Sequence, residues 1–247
     1  MFQLCNEYDK TNTPKDYLIE VKYDGTLVTV ANGRVINRYG LDITKQFPEL
    51  KIDNENTKVV GELCIFEGGK SIFNSILRRK TINNFKISML SKIMKATLVI
   101  FDVLNFEGKD ISKLPLRERR NYLTMVKGEN IMLPEVITGT PEEAFKVAEK
   151  RGIEGIIIKD LNASYEDSRN NNFLKYKCFK EDRFNILSYE KSEKGFTALL
   201  ENNIRVGVNN NDYRSQIESG RVKTMLVQYL EKTDNGMLRL PSCKGVL

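Results

Sequence analysis

Glu20-Val21-Lys22-Tyr23-Asp24-Gly25 follows directly on the run Tyr17-Leu18-Ile19. Aromatic and β-branched residues bounded by Asp-Gly predict a strand that ends at Lys22 with a tight turn after it, because Asp-Gly suits a hairpin whose two central residues take positive φ. A lysine fixed there holds its amine away from the strand pair. Alone it would be an ordinary solvated side chain. Its meaning depends on whether the rest of the chain supplies acids, an aromatic platform and cations for phosphate.

Immediately downstream, the alternation in Leu27-Val28-Thr29-Val30, then Asn32-Gly33, then Val35-Ile36 predicts a β-hairpin with a type I′ turn, running on into Arg38-Tyr39-Gly40. Residues 59–66 form an apolar strand in which a single acid, Glu62, is embedded, and a charge so placed needs a partner or a task. Residues 70–95 read as helix, with Ile72, Phe73, Ile76 and Leu77 at helical spacing. That stretch carries Lys70, Arg78, Arg79, Lys80, Lys86, Lys92 and Lys95 with no acid between them, a pattern suited to a phosphate backbone. Residues 97–104 are a buried-type strand with Phe101 and Asp102 near its end.

An arginine-rich helix is expected over 116–126, stopped by Gly128, and Thr140 caps a second helix with Pro141 in its first turn and Gly152 at its end. Residues 154–159 are a strand with an acid, Glu154, at its start and Lys159 at its end. A polar interval containing Arg169 leads to a strand at 173–177, which places Lys175 and Lys177 on one face. From Phe184 the texture changes to five short strands, at 184–189, 196–200, 204–208, 222–229 and 237–240. Turns at Lys194-Gly195, Asn202-Asn203 and Asp234-Asn235-Gly236 separate them, and the Asn-rich patches 170–172 and 209–211 read as loops. Strands this short and closely spaced suggest a small barrel of the oligonucleotide-binding type.

Composition narrows the chemistry. A chain of 247 residues has room for one large domain or two, and 39 Lys plus Arg against 33 Asp plus Glu give a net charge of +6, which suits an acidic partner such as nucleic acid. There is no histidine, so Ser-His and Cys-His catalysis are excluded and acid–base work falls to Lys, Arg, Asp and Glu. Cys5, Cys64, Cys178 and Cys243 lie far apart without a C-x-x-C pair, which argues against a zinc site or a disulfide scaffold. No apolar run of membrane-spanning length and no signal-peptide pattern occurs, so an intracellular protein with no membrane partner is expected.

Taken in order, these segments resemble the covalent nucleotidyltransferases, and specifically the minimal, viral or phage-like ATP-dependent DNA ligases. Lys22-Tyr23-Asp24-Gly25 looks like the family's first motif, and Asn37-Arg38-Tyr39-Gly40 with Phe47-Pro48-Glu49-Leu50 looks like the segment that follows it. Gly61-Glu62-Leu63, Phe101-Asp102-Val103-Leu104, the stretch from Glu154-Gly155 to Lys159, and Leu174-Lys175-Tyr176-Lys177 resemble the later motifs in sequence. Together the matches extend over essentially the whole chain.

The resemblance implies an α+β fold: an antiparallel-sheet nucleotidyltransferase (adenylation) domain over 1–181, then an OB-fold barrel over 182–247. It implies that Lys22 attacks the α-phosphate of ATP to form lysyl-AMP, that AMP passes to the 5′-phosphate of a DNA nick, and that the 3′-hydroxyl then displaces it. Under the same reading Glu20 and the adjoining backbone read the adenine edge, Phe101 stacks on the base and Glu62 holds the ribose. Arg38 and Arg169 hold sugar and phosphate oxygens, while Lys175 and Lys177 grip the α-phosphate. Glu62 and Glu154 are the expected ligands of Mg²⁺ or Mn²⁺. Lys175, Lys177 and the metal are expected to disfavour the protonated form of Lys22. The implied partner is nicked duplex DNA, encircled by a monomer through domain closure.

The alternatives are an RNA ligase with the same lysine chemistry and a catalytically degenerate nick-binding module. Two departures from the family stand out. Leu27 occupies a place usually held by arginine, and the sequence stops at Leu247, shortly after Leu238-Arg239-Leu240-Pro241, which resembles the last barrel strand; a basic motif would normally follow.

Overall fold

In a computed structural model, which describes residues 2–193, 195–233 and 235–247, the chain forms two compact units, Met1–Tyr176 and Lys177–Leu247. Lys194 and Asp234, in two of the expected turns, lie outside the described residues. The longer strands in chain order are β1 (Leu4–Glu7), β2 (Tyr17–Val21), β3 (Thr26–Ala31), β4 (Arg34–Asn37), β5 (Lys58–Cys64), β6 (Thr97–Phe106), β7 (Gly155–Asp160), β8 (Arg169–Lys177), β9 (Lys180–Ser192), β10 (Gly195–Leu200), β11 (Arg205–Gly207), β12 (Thr224–Tyr229) and β13 (Ser242–Val246). The α-helices are α1 (Phe73–Arg78), α2 (Asn84–Ile93), α3 (Leu116–Leu123), α4 (Pro141–Arg151) and α5 (Asn211–Glu218).

The first unit is built on two sheets. One has the order β1-β8-β7-β2, with β1 parallel to β8 and β7 antiparallel to β2. The other runs β6-β5-β3-β4, with each of these neighbours antiparallel; the two-residue strands Lys109–Asp110 and Ile131–Met132 also pair with β6, the first antiparallel and the second parallel. Val28, Val30, Val59, Leu63, Leu98, Ile100 and Val103 are almost fully buried in its core. The β3–β4 hairpin has the expected turn, with Asn32 and Gly33 at φ of 50° and 71°.

The Asp24-Gly25 hairpin is not formed. β2 and β3 belong to different sheets, so residues 22–25 cross from one to the other, and Gly25 has no positive φ. Glycine is needed there because a Cβ would lie 2.3 Å from the Leu63 carbonyl oxygen; only a residue without a side chain lets the crossover run this close to β5.

Four other expectations are corrected. The basic stretch 70–95 is not one helix: α1 and α2 are separated at 79–83, and Arg79 is buried rather than available to phosphate. Its guanidinium bonds Glu49 at 2.5 and 3.0 Å and the carbonyls of Met94 and Gln46, so Arg79 and Glu49 hold this break together. Asn170 to Asn172 are strand, not loop: the backbone of Asn170 pairs with Cys5 of β1, and Asn6 of β1 donates to the Asn171 side chain at 2.7 Å. Asn209 and Asn210 are loop as expected, but Asn211 already begins α5, which Asn210 caps because its Oδ1 accepts from the N–H groups of Asp212 and Tyr213. The last strand is β13, not 237–240: Leu240 turns the chain at φ 53°, and residues 237–239 pair only irregularly with 230–233.

In the second unit the sheet order is β11-β10-β9-β12-β13, all antiparallel. The 13-residue β9 pairs with β12 through 180–185 and, beyond an irregularity at 186–188, with β10, the kind of break by which one strand serves two halves of a curved sheet. Its core gathers Phe184, Phe196, Leu200, Val206, Met225 and Val227, with Ile217 of α5 against it.

Candidate active site

Lys22 is the first residue of the crossover. Its N–H donates to the Gly155 carbonyl at 2.9 Å, and the Asp24 N–H donates to Ser71 Oγ at 2.8 Å, so the segment is held at both ends. The Lys22 ammonium donates to Glu154 Oε2 at 2.8 Å; the two side chains are 20% and 5% exposed. Glu154 ends the turn after the Gly152 cap of α4, and Glu62 is the embedded acid of β5, opposite Leu27 of β3. Asp24 lies close enough to both to contribute to the same field.

The electrostatics of this group are coupled. Burial pulls the Lys22 pKa down, but the carboxylates of Glu154 and Glu62 together outweigh it and hold the amine above its ordinary value. Glu62 is pushed up to about 8, first by burial, with Glu154 and Asp24 adding repulsion and Lys22 opposing it. The carboxylates therefore favour the ammonium form of Lys22.

A second cluster lies beside it. Glu20 is 2% exposed, and its oxygens accept from Lys159 Nζ at 2.5 Å and from Arg120. Lys159 Nζ sits 4.4 Å from the ring centre of Phe101, which is half-buried against Val60, Leu104 and Tyr165 together with Phe2 and Leu27. Leu27 thus fills an apolar wall where the resemblance leads one to expect a cation. Asp102 faces away into a fully buried pair with Arg119, at 2.7 and 2.8 Å, which pins α3 to β6.

The remaining expected residues are placed as follows. Arg169, at the start of β8, donates to the Cys5 carbonyl, and Lys175 pairs with Glu7 at 3.0 Å, so β1 meets both. The Cys5 thiol, raised by burial, feels Lys22, Lys159, Lys175 and Arg169, which puts all four around it. Lys177 ends β8 two residues after Lys175, on the same strand face. Arg38 is exposed in the turn after β4 and bonds its neighbour Tyr39 at 2.6 Å; it is not gathered with the others. Lys159, Arg120 and β1 were not singled out as site parts from sequence. Lys159 carries a signal akin to that of Glu62, a charge at the end of an apolar strand where Glu62 is embedded within one; nothing local marks Arg120 or β1.

The fold is shared with ligase nucleotidyltransferase domains. A solved Lig E DNA ligase superimposes with a TM-score of 0.78 at 16% identity, covering 100% of this chain and 98% of that one. The ligase domain of LigD from M. tuberculosis gives 0.62 at 18% identity over 100% and 94%. Residues 2–177 match the ATP dependent DNA ligase domain family, and the chain belongs to that family. Among relatives, the SPbeta prophage-derived DNA ligase-like protein LigB of Bacillus subtilis is 27% identical over 194 residues, which is 74% of this chain and 68% of LigB. The DNA ligase of Thermococcus onnurineus is 34% identical over 182 residues, 66% of this chain and 32% of that protein. The chain thus spans about two thirds of LigB and about a third of the archaeal ligase.

Proposed function

We propose that this chain is an ATP-dependent DNA ligase that seals 5′-phosphate/3′-hydroxyl nicks in duplex DNA through lysyl-AMP at Lys22 and an adenylylated-DNA intermediate. The observation that carries the reading is the Lys22–Glu154 pair, a nearly buried primary amine held by carboxylates on the crossover between two sheets, in a chain of the ligase family. Lys22 is the nucleophile. Its ammonium must lose a proton before its lone pair can form the bond to the α-phosphorus as the bond to pyrophosphate breaks. Glu154, in contact with the amine, holds it in place until then.

A divalent cation fits the carboxylates. Glu154 and Glu62 share one ammonium, Asp24 adds its charge beside Glu62, and Glu62 is driven toward its neutral form, so the site has more negative charge than its own lysine balances. Among the described residues no three His, Cys, Asp or Glu side chains are grouped to hold a metal by themselves. Glu62 and Glu154 would hold Mg²⁺ or Mn²⁺ while phosphate and water oxygens fill the remaining positions, the arrangement magnesium favours. Bound there, it would neutralise phosphate charge and compete with Lys22 for Glu154.

Phe101 stacks on adenine, Glu20 and its backbone read the base edge, and Arg169, Lys175 and Lys177 take phosphate oxygens; Arg38 would join them only after leaving Tyr39. The unit Met1–Tyr176 serves as the adenylation domain, and the unit Lys177–Leu247 as an OB-fold. What supports the latter is a five-stranded antiparallel sheet, bent at β9, whose edge strands β11 and β13 approach within 8 Å between Cα atoms. A monomer closing its two domains on nicked duplex DNA completes the reading.

Incubation with ATP, Mg²⁺ and a nicked duplex carrying a 5′-phosphate tests it. Sealing is expected with ATP and lost with Lys22→Ala. Sealing confined to nicks with RNA strands would make it an RNA ligase, and DNA binding with no adenylylation in wild type would reduce it to a nick-binding module.

A further inference from the structure

Lys159 takes no part in the chemistry at Lys22, yet its charge is placed with unusual care. It is 2% exposed, its Nζ lies 2.5 Å from Glu20 Oε2 and 3.4 Å from the Phe101 carbonyl oxygen, and it sits 4.4 and 4.9 Å from the ring centres of Phe101 and Phe173. Glu20 belongs to β2 of the four-stranded sheet and Phe101 to β6 of the other sheet. One cation therefore ties together two residues from separate layers. A buried ion pair gains little stability over apolar side chains of the same volume, so this charge is better explained by the geometry it imposes than by holding the fold together.

We infer that Lys159 is a positioning residue for base recognition, which fixes the Glu20 carboxylate and the Phe101 ring relative to one another and so sets the preference for adenine over guanine in the nucleotide donor. The inference rests on the ligase reading above. The ammonium lies 4.4 Å from the ring centre of Phe101 and steadies the ring plane through its π-system. Arg120 and Lys159 together hold and aim the Glu20 carboxylate, which has lone pairs to spare beyond two such bonds. An acceptor so fixed pairs with the exocyclic amine of adenine and faces the carbonyl oxygen of guanine with nothing to donate, a mismatch that discriminates far more than shape does.

Equilibrium binding of ATP and of GTP, measured by calorimetry in a Lys22→Ala background that cannot form the covalent adduct, reads this directly. Adding Lys159→Met, which keeps the volume between the two phenylalanines, is expected to weaken ATP about tenfold or more and leave GTP within about threefold, so that the ATP-to-GTP preference collapses. Because Lys159→Met alone leaves Glu20 with one partner, Lys159→Arg provides a second variant that keeps a cation beside Glu20, and it is expected to retain the preference for ATP. An unchanged preference in folded Lys159→Met, the same collapse in folded Lys159→Arg, or an equal loss for both nucleotides, overturns the inference. If the Lys22→Ala parent binds no ATP and wild type forms no lysyl-AMP, the ligase reading itself falls and this inference with it.

Discussion

Glu154→Gln should release the proton of Lys22 more readily. The Nζ to Oε2 separation is 2.8 Å and both side chains are largely shielded from water, so the bond is charge-assisted and little screened. Replacing the carboxylate with a neutral amide removes about 1.5–3 kcal/mol of stabilisation of the ammonium. Glu62 limits the effect: freed of repulsion from Glu154, its carboxyl ionises more easily and returns part of the field, which favours the lower figure. At about 1.4 kcal/mol per factor of ten, the amine-to-ammonium ratio of Lys22 near neutral pH should rise about tenfold. Titration of side-chain-labelled lysines by NMR, without nucleotide or metal and with the Lys22 signal assigned from Lys22→Ala, separates this from any effect on metal binding. The Lys22 resonance should titrate at lower pH in the variant. If it titrates at the same or a higher pH, the carboxylate is not what holds the proton.

Gly25→Ala should cripple lysyl-AMP formation and lower the melting temperature, because the new methyl would lie 2.3 Å from a backbone oxygen, whereas Gly33→Ala, at φ 71° with open space around it, should cost only about 1 kcal/mol in urea unfolding and leave adenylylation intact. Arg79→Met should destabilise the first unit by about 3–5 kcal/mol by leaving Glu49 buried without its cation, and Arg79→Met/Glu49→Gln should recover part of that; equal losses in denaturant unfolding would show the pair to be dispensable. Glu62→Gln should change the pH dependence of stability: the folded chain binds the Glu62 proton more tightly than the unfolded one, so the stability linked to this proton is full below about 4.5, falls as pH rises through about 8, and the amide should remove that fall in melting temperature between pH 6 and pH 9.

Much of the first unit was legible because its signals are local. Asn32-Gly33 specifies its own turn, Thr140, Pro141 and Gly152 delimit α4, and the apolar run around Glu62 forms β5. What escaped is set by neighbours distant in sequence. Asp24-Gly25 has hairpin chemistry, yet β2 finds its partner in β7, more than 130 residues later, and the glycine answers to Leu63 instead. Arg79 reads from sequence as one more cation for phosphate, and only the approach of Glu49 makes it a core residue. The Asn-rich patches gave the same compositional signal twice and became a strand in one place and a helix cap in the other, because asparagine satisfies whichever backbone or amide partner the fold brings near. The arrangement of Glu20, Lys159 and Phe101 depends on two sheets meeting, which no single segment records.

Lysyl-AMP formation at Lys22 tests the central claim most directly. The protein is incubated with Mg²⁺ and ATP labelled at the α-phosphate, denatured in acid, digested, and the labelled peptide identified by mass. One adenylate per chain is expected, attached to Lys22, absent from Lys22→Ala and discharged when pyrophosphate or nicked DNA is added before denaturation. An active wild-type preparation that carries no label, or carries it on a residue other than Lys22, would contradict the assignment.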